Sequence, residues 1–110
     1  MNFYIGKSVE EIDCLDMDVE IDDMLLDYVY KISRYDKCDR SVLYHINPYD
    51  DTLISQDDVV KLKDVCEDIL SVALLEDYSD KEKGKRMLTE LIEISQSAIE
   101  KGMGLVVIGD

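Results

Sequence analysis

The sequence predicts one small domain of the α/β or α+β class, in which a mixed sheet of about three or four strands packs against three helices. Short β-prone runs stand near both ends of the 110 residues and near the middle. Between them, apolar residues recur at three- and four-residue steps in three long stretches, which is the spacing of amphipathic helices. The chain contains one proline and no linker rich in Gly, Ser or Pro. Residues 1–110 are therefore predicted to form a single domain.

The N-terminal third begins with a predicted strand and ends with a predicted helix. Residues 2–5 are β-prone and are followed by Gly6. Residues 8–11 have the spacing of a capping box and predict a helical turn. Residues 15–21 alternate apolar and acidic side chains, which is typical of an extended segment with one buried face. The helix that follows is predicted from an apolar stripe: Ile21, Met24, Leu25, Tyr28, Val29, Ile32 and Tyr35.

The middle of the chain predicts a strand followed by a helix. Residues 41–46 are interpreted as a strand, which Asn47 and Pro48 end because proline restricts the residue before it and cannot donate to a sheet. Ser55 then precedes first-turn acids and an apolar stripe, so it is the predicted N-cap of a long helix.

The last segment predicts a helix and a central strand. The capping signal that begins at Ser79 predicts the start of a third long helix, and Gly102 predicts its end. Gly84 disfavours helix, so the regular part is predicted to begin after it. Residues 105–108 are continuously apolar, which predicts a strand inside the sheet that is covered on both faces.

Net charge is the outlying property of the composition. The 26 acidic and 12 basic residues give a formal charge of −14, beyond the roughly 2 to 8 units usual for a small domain. Nine acids and no lysine or arginine lie within residues 8–30. Such a field repels nucleic acid and anionic membranes and attracts basic proteins, so we expect no direct binding to nucleic acid or membrane. Two interpretations remain open: the acidity only maintains solubility, or it attracts a basic partner.

Signatures of catalysis and of cofactor binding are sparse, and we expect neither an enzyme nor a cofactor or metal site. His45 is the only histidine, and neither GxGxxG nor GxxxxGK[ST] occurs. A calcium loop beginning at Asp16 fails because Ile21 stands where that loop needs glycine. The three cysteines lack CxxC spacing, and the start of the sequence does not resemble a signal peptide. A cytoplasmic location is therefore expected.

Candidate partner-binding residues lie on the first predicted helix, before it, and on the turn after Pro48. Tyr30 is predicted on the outer face of the helix among acids and Arg34, and tyrosine is a rigid anchor that interface cores favour. At each place the alternative is a solvated surface or ordinary turn chemistry. The candidate residues are Asp16, Asp18, Asp23, Asp27, Tyr30, Tyr49, Asp50 and Asp51.

The arrangement resembles one class of small acidic bacterial proteins. The features that carry the resemblance are the Pro-Tyr-Asp-Asp-Thr turn at residues 48–52, the helices that begin near Ser55 and Ser79, and the apolar strand within residues 105–110. Together they resemble the immunity proteins of toxin–immunity systems. The resemblance implies a non-enzymatic protein that binds and neutralises a cognate toxin, often a basic nuclease. The alternative is an acidic adaptor or regulatory subunit, nucleic-acid mimics included, that docks on a basic site of a larger assembly.

Overall fold

The computed structural model describes residues 2–8, 11–12, 19–37, 39–44 and 52–108, and these form an antiparallel sheet and a set of helices. The strands are β1 (Asn2–Ser8), β2 (Glu11–Ile12), β3 (Val19–Glu20), β4 (Thr52–Ile54) and β5 (Gly104–Ile108). The helices are α1 (Asp23–Asp36), α2 (Ser41–Tyr44), α3 (Gln56–Ser71) and α4 (Lys81–Lys101), with a 3₁₀ helix at Leu74–Asp77. The predicted combination of a sheet with three long helices is confirmed. None of the described helices has both the length and the apolar composition needed to cross a bilayer.

The sheet is built around the pairing of β1 with β5. Its strand order is β2-β1-β5-β4, and β3 also pairs with β1. In β5, Leu105, Val106 and Val107 are all buried, so the prediction of a central strand covered on both faces is confirmed. Every pairing between described strands is antiparallel, whereas a mixed sheet was expected.

The helices between β4 and β5 explain this strand direction. The side-chain amide of Gln56 donates a hydrogen bond to the carbonyl oxygen of Gly102, so the start of α3 lies beside the end of α4. The two helices therefore run in opposite directions. As a result, β5 begins at the same end of the sheet at which β4 ends. A strand that follows such a hairpin enters antiparallel to the strand before it, whereas a parallel neighbour needs a crossover.

One face of the sheet packs against the apolar stripes of the helices. Phe3 and Ile5 of β1 lie opposite Val107 and Leu105 of β5, and all four side chains are fully buried. The buried apolar residues that α3 and α4 contribute are Val59, Leu62, Cys66, Ile69, Met87, Leu88, Leu91, Ile94 and Ala98. The predicted stripe of α3 is confirmed at Val59, Leu62, Cys66 and Ile69. In α4 the stripe is confirmed at Leu88 and Leu91, whereas the buried Met87, Ile94 and Ala98 were not predicted.

α1 is rotated relative to the stripe that the sequence predicts. Met24 and Tyr35, both expected in the core, are 58% and 89% exposed, whereas Leu26 is buried. The buried face centres on Leu25 and Val29, which are four residues apart, and at 100° per residue Met24 and Tyr35 fall beyond its edge.

Tyr28 at the margin of this face fixes α1 against the following elements. Its hydroxyl donates a 2.7 Å hydrogen bond to the carbonyl oxygen of Leu74, and its ring lies 5.0 Å from that of Tyr78, measured between centroids. Burial, reinforced by the negative charge of Asp77, raises the pKa of the Tyr28 phenol above its ordinary value. The phenol therefore stays protonated and remains a hydrogen-bond donor at neutral pH.

The prediction of a strand at residues 41–46 is wrong where the structure describes them, because Ser41–Tyr44 is one helical turn. The carboxylate of Asp39 accepts hydrogen bonds from the backbone N–H and the hydroxyl of Ser41, which caps the turn. Leu43 alone of the four residues is buried. Local capping therefore outweighs the β propensity of this apolar run.

The predicted boundaries of the long helices are mostly confirmed. The Ser55 hydroxyl accepts a hydrogen bond from the backbone of Asp58, and Gly102 ends α4 in the left-handed conformation, with φ of 67°. Asp80 caps α4, one residue beyond the predicted cap. Gly84 lies inside that helix, contrary to the prediction, because α4 begins at Lys81.

Two further predictions concern the segments that form β2 and β3. Glu11 belongs to strand β2, so the predicted helical turn at residues 8–11 is wrong there. Val19–Glu20 is extended with one buried and one exposed side chain, as the alternating pattern predicted. Residues 15–18 of that pattern lie outside the described residues.

We predict that Gly104→Ala destabilises the domain by about 3 kcal/mol, because a methyl group at this position overlaps the carbonyl oxygen of Ile54 and overpacking of this kind is costly. Gly102→Ala is the matched control: it has space for the methyl group and carries only the cost of its left-handed backbone, about 1 kcal/mol. Urea unfolding followed by circular dichroism measures both. Equal losses in the two variants would contradict the close packing of β4 on β5.

Candidate partner-binding surface

The outer face of α1 carries the residues predicted to share it. Asp23, Asp27, Tyr30 and Arg34 all lie on the solvent side of the helix. A guanidinium N–H of Arg34 donates to the Tyr30 hydroxyl at 3.5 Å, and the guanidinium carbon lies 5.6 Å from the ring centroid. On its other side the Tyr30 ring meets Tyr44 of α2 edge to face, with 5.2 Å between centroids. Tyr30 is therefore 37% exposed and held between two neighbours, as a preorganised contact residue would be.

The charges on this face are more balanced than the sequence suggested. Asp27 forms an ion pair with Lys31 at 2.8 Å, one helical turn away. Asp23 is exposed at the start of the helix, and Arg34 adds a second positive charge to the same side. On this face the two aspartates, Asp23 and Asp27, are thus matched by Lys31 and Arg34, and the face supplies aromatic contact area more than it supplies net negative charge.

Negative charge is concentrated instead in a groove that the sequence analysis did not identify. This groove, called here the α2–α3 groove, has a volume of about 560 Å³ and lies between the start of α2 and the first half of α3. Its lining includes three aspartates and a single lysine: Asp39, Asp58, Asp64 and Lys61. The half-buried side chains of Val42 and Val65 add an apolar surface. The helical spacing of Asp58, Lys61, Asp64 and Val65 is visible in the sequence, but the opposite wall comes from α2, which was predicted as a strand.

A second groove, between β3 and α4, has a different electrostatic character. It has a volume of about 420 Å³, and its charged residues are Glu20, Asp22, Lys83, Arg86 and Glu90. Lys83 and Asp22 form an ion pair at 2.8 Å, and the hydrogen bond between them raises the pKa of the lysine. With acids and bases in near balance and its central pair already formed, this groove offers no strong attraction to either sign of charge.

A buried arginine fixes the position of α2 relative to α1 and α3. Arg40 is 3% exposed, and its guanidinium donates a 2.9 Å hydrogen bond to the hydroxyl of Ser33 in α1. Another guanidinium nitrogen lies 3.7 Å from a carboxylate oxygen of Asp68 in α3. A planar guanidinium can contact several partners at once. Arg40 therefore links the three helices that form the candidate surface.

Some residues named from the sequence cannot be placed on this surface. Asp16, Asp18, Tyr49, Asp50 and Asp51 lie outside the described residues. His45 and two of the cysteines do so as well: Cys14 and Cys38.

The one cysteine that the structure describes, Cys66, is a core residue. It is fully buried in α3, and burial raises the pKa of its thiol to about 12. The thiol is consequently protonated at physiological pH and is not a nucleophile. In the part of the chain that the structure describes, no group of three or more His, Cys, Asp or Glu side chains is arranged to hold a metal ion.

We predict that iodoacetamide alkylates Cys66 at least about a thousandfold more slowly in the native protein at pH 8 than in urea, because the thiol is fully buried and its raised pKa also lowers the thiolate fraction. Mass spectrometry of the proteolytic peptides separates Cys66 from Cys14 and Cys38. Equal labelling rates with and without urea would show that the thiol is accessible in the folded state.

The described surface can bind by charge and by aromatic contact, since an acidic groove and a pair of tyrosines in edge-to-face contact lie on adjacent helices. No protein-family model, curated protein or solved structure matches this chain.

Proposed function

We propose that this chain is a non-enzymatic inhibitor of the immunity-protein kind, which binds and neutralises a basic cognate toxin, foremost a nuclease. The observation that best supports the proposal is the acidic α2–α3 groove beside the partly exposed Tyr30–Tyr44 pair, in a protein of formal charge −14. A nuclease must present positive charge to hold phosphates. A protein that covers such a surface needs carboxylates at its rim and a few larger contact residues within it.

The two kinds of side chain would act on different steps of binding. Carboxylates on the surface attract a basic partner from a distance and raise the association rate constant. Aromatic side chains that become desolvated in the complex slow its dissociation. Tyr30 suits the second role because Arg34 and Tyr44 already restrict its motion, so little side-chain entropy is lost when a partner covers it.

The proposal places the protein in the cytoplasm. Cys66 is a free, fully buried thiol, as is common in proteins of reducing compartments. A cytoplasmic inhibitor of this kind would protect the cell that makes the toxin from its activity.

Neutralisation of the product of a neighbouring gene tests the proposed function. The adjacent reading frame that encodes a basic protein is expressed with and without this chain, and growth is compared. The purified pair is then examined for a defined complex and for nuclease activity. We expect growth to be restored and the nuclease to be inhibited at equimolar ratio. A complex that leaves the partner's activity intact would favour the adaptor alternative, and the absence of any complex would contradict the proposal.

We predict that Asn in place of Asp16, Asp18, Asp23 and Asp27 lowers the association rate constant by about tenfold at low salt, because it takes four negative charges from the field that attracts a basic partner. The effect should shrink as added salt shortens the Debye length below about 10 Å. Surface plasmon resonance at two ionic strengths measures both rate constants. An unchanged association rate would show that the acids in and before α1 do not steer the partner.

We predict that Tyr30→Ala raises the dissociation rate constant by an amount that corresponds to about 2 kcal/mol, the usual cost of truncating an interface anchor. Tyr35→Ala is the matched control, since it removes an 89% exposed tyrosine from another side of the same helix. Circular dichroism checks that both variants fold. If the two variants dissociate at the same rate, the face of α1 around Tyr30 is not part of the interface.

A further inference from the structure

The short helix α2 joins the tyrosine pair to the acidic groove. Tyr44 of this single turn meets the ring of Tyr30 on α1. Ser41 and Val42 of the same turn line the groove that α3 completes. The tyrosine pair and the groove are therefore parts of one surface that runs from α1 across α2 to α3.

The groove combines an apolar surface with carboxylates. Val42 and Val65 are half-buried, so a ligand lying on them removes apolar area from water. Asp64 interacts electrostatically with Lys63, but the ammonium group of that lysine already pairs with Glu67 at 2.6 Å. The carboxylate of Asp58 is 3.9 Å from the ammonium group of Lys61. The negative charge of the groove is therefore only partly offset by the protein itself.

Lysine and arginine side chains match this combination. Each has an aliphatic stem, which can lie on apolar surface, and a cationic end, which remains at the polar edge. The volume of about 560 Å³ lies within the range of sites that bind small ligands or a few side chains. A second copy of this chain is disfavoured as the occupant because both copies would carry a formal charge of −14.

We propose that the α2–α3 groove binds an extended lysine- or arginine-rich segment of a partner protein. The aliphatic stems of the segment lie on Val42 and Val65, and its cationic groups pair with Asp58 and Asp64. Residues that flank the segment contact the tyrosine pair across α2. This inference rests on the proposed function, to which it adds the location of the contact and the chemistry of the segment that is recognised.

A basic peptide tests the groove without knowledge of the natural partner. The probe is a fluorescein-labelled nonapeptide of alternating arginine and glycine, and its Kd is measured by fluorescence anisotropy at low salt. Asp58→Asn combined with Asp64→Asn removes two carboxylates from the groove. Asp57→Asn combined with Glu93→Gln is the matched control, since it removes two exposed carboxylates outside the groove, one of them from the same first turn of α3.

We expect the groove variant to bind the peptide about fivefold more weakly and the control variant to bind less than about twofold more weakly, because close charge pairs contribute more than distant ones. Lys61→Ala should tighten binding by about twofold, since it removes the cation that competes within the groove. A gain of this kind cannot arise from partial unfolding. Methyl resonances of Val42 and Val65 should shift when the peptide is added.

Equal weakening in the groove and control variants would overturn the proposal, because binding would then reflect the total charge alone. Unshifted Val42 and Val65 methyl resonances would overturn it as well. The neutralisation assay separates this inference from the proposed function. If the groove variant loses the peptide but neutralises the toxin as well as the native protein does, the groove is not the docking site and the inhibitory function stands. If the native protein binds the peptide in the groove but neutralises nothing, the inhibitory function fails.

Discussion

The pairing of β1 with β5 is the contact on which the rest of the structure depends. It joins residues about a hundred positions apart, and it supplies Phe3, Ile5, Leu105 and Val107 as one apolar face for the helices. β4 adds to the free side of β5, while β2 and β3 add to the other side of β1. β4 is followed almost at once by α3, and α4 almost at once by β5. These short connections fix the position of α3 and α4 against the sheet. The position of the α2–α3 groove follows from this frame because α3 forms one of its walls.

Much of the fold could be predicted from local signals, and the failures share a physical cause. Three predictions are confirmed because each depends on few neighbours: the N-cap at Ser55, the left-handed backbone at Gly102 and the buried strand at residues 105–108. The turn at Ser41–Tyr44 was misassigned because the side chain that caps it, Asp39, precedes the apolar run. Met24 and Tyr35 were misassigned because periodicity shows that a helix has an apolar stripe but leaves undetermined which part of a wide stripe its neighbours cover.

The candidate surface was predictable only in part for the same reason. The outer face of α1 could be predicted because one helix alone defines it, and Asp23, Asp27, Tyr30 and Arg34 do share it. The ion pair between Asp27 and Lys31 also follows helical spacing, but the contact of Tyr30 with Tyr44 depends on the placement of α2. The groove depends on two helices that meet only through tertiary packing, with Arg40 between them and α1. Its acidity is a property of the assembled domain more than of any acidic run in the sequence.

The long sequence separation of β1 and β5 has a consequence for how the protein is made. During synthesis β1 emerges early, but its central partner emerges only after all the helices have been translated. The contacts between α3 and α4 are local and form quickly, whereas closing the sheet requires a distant encounter, which slows folding. Until β5 arrives, Phe3 and Ile5 have no complete core to enter, and the exposed strand is open to intermolecular pairing. The nascent chain therefore passes through a stage in which its first strand is open to aggregation, and this stage lasts until β5 has been made.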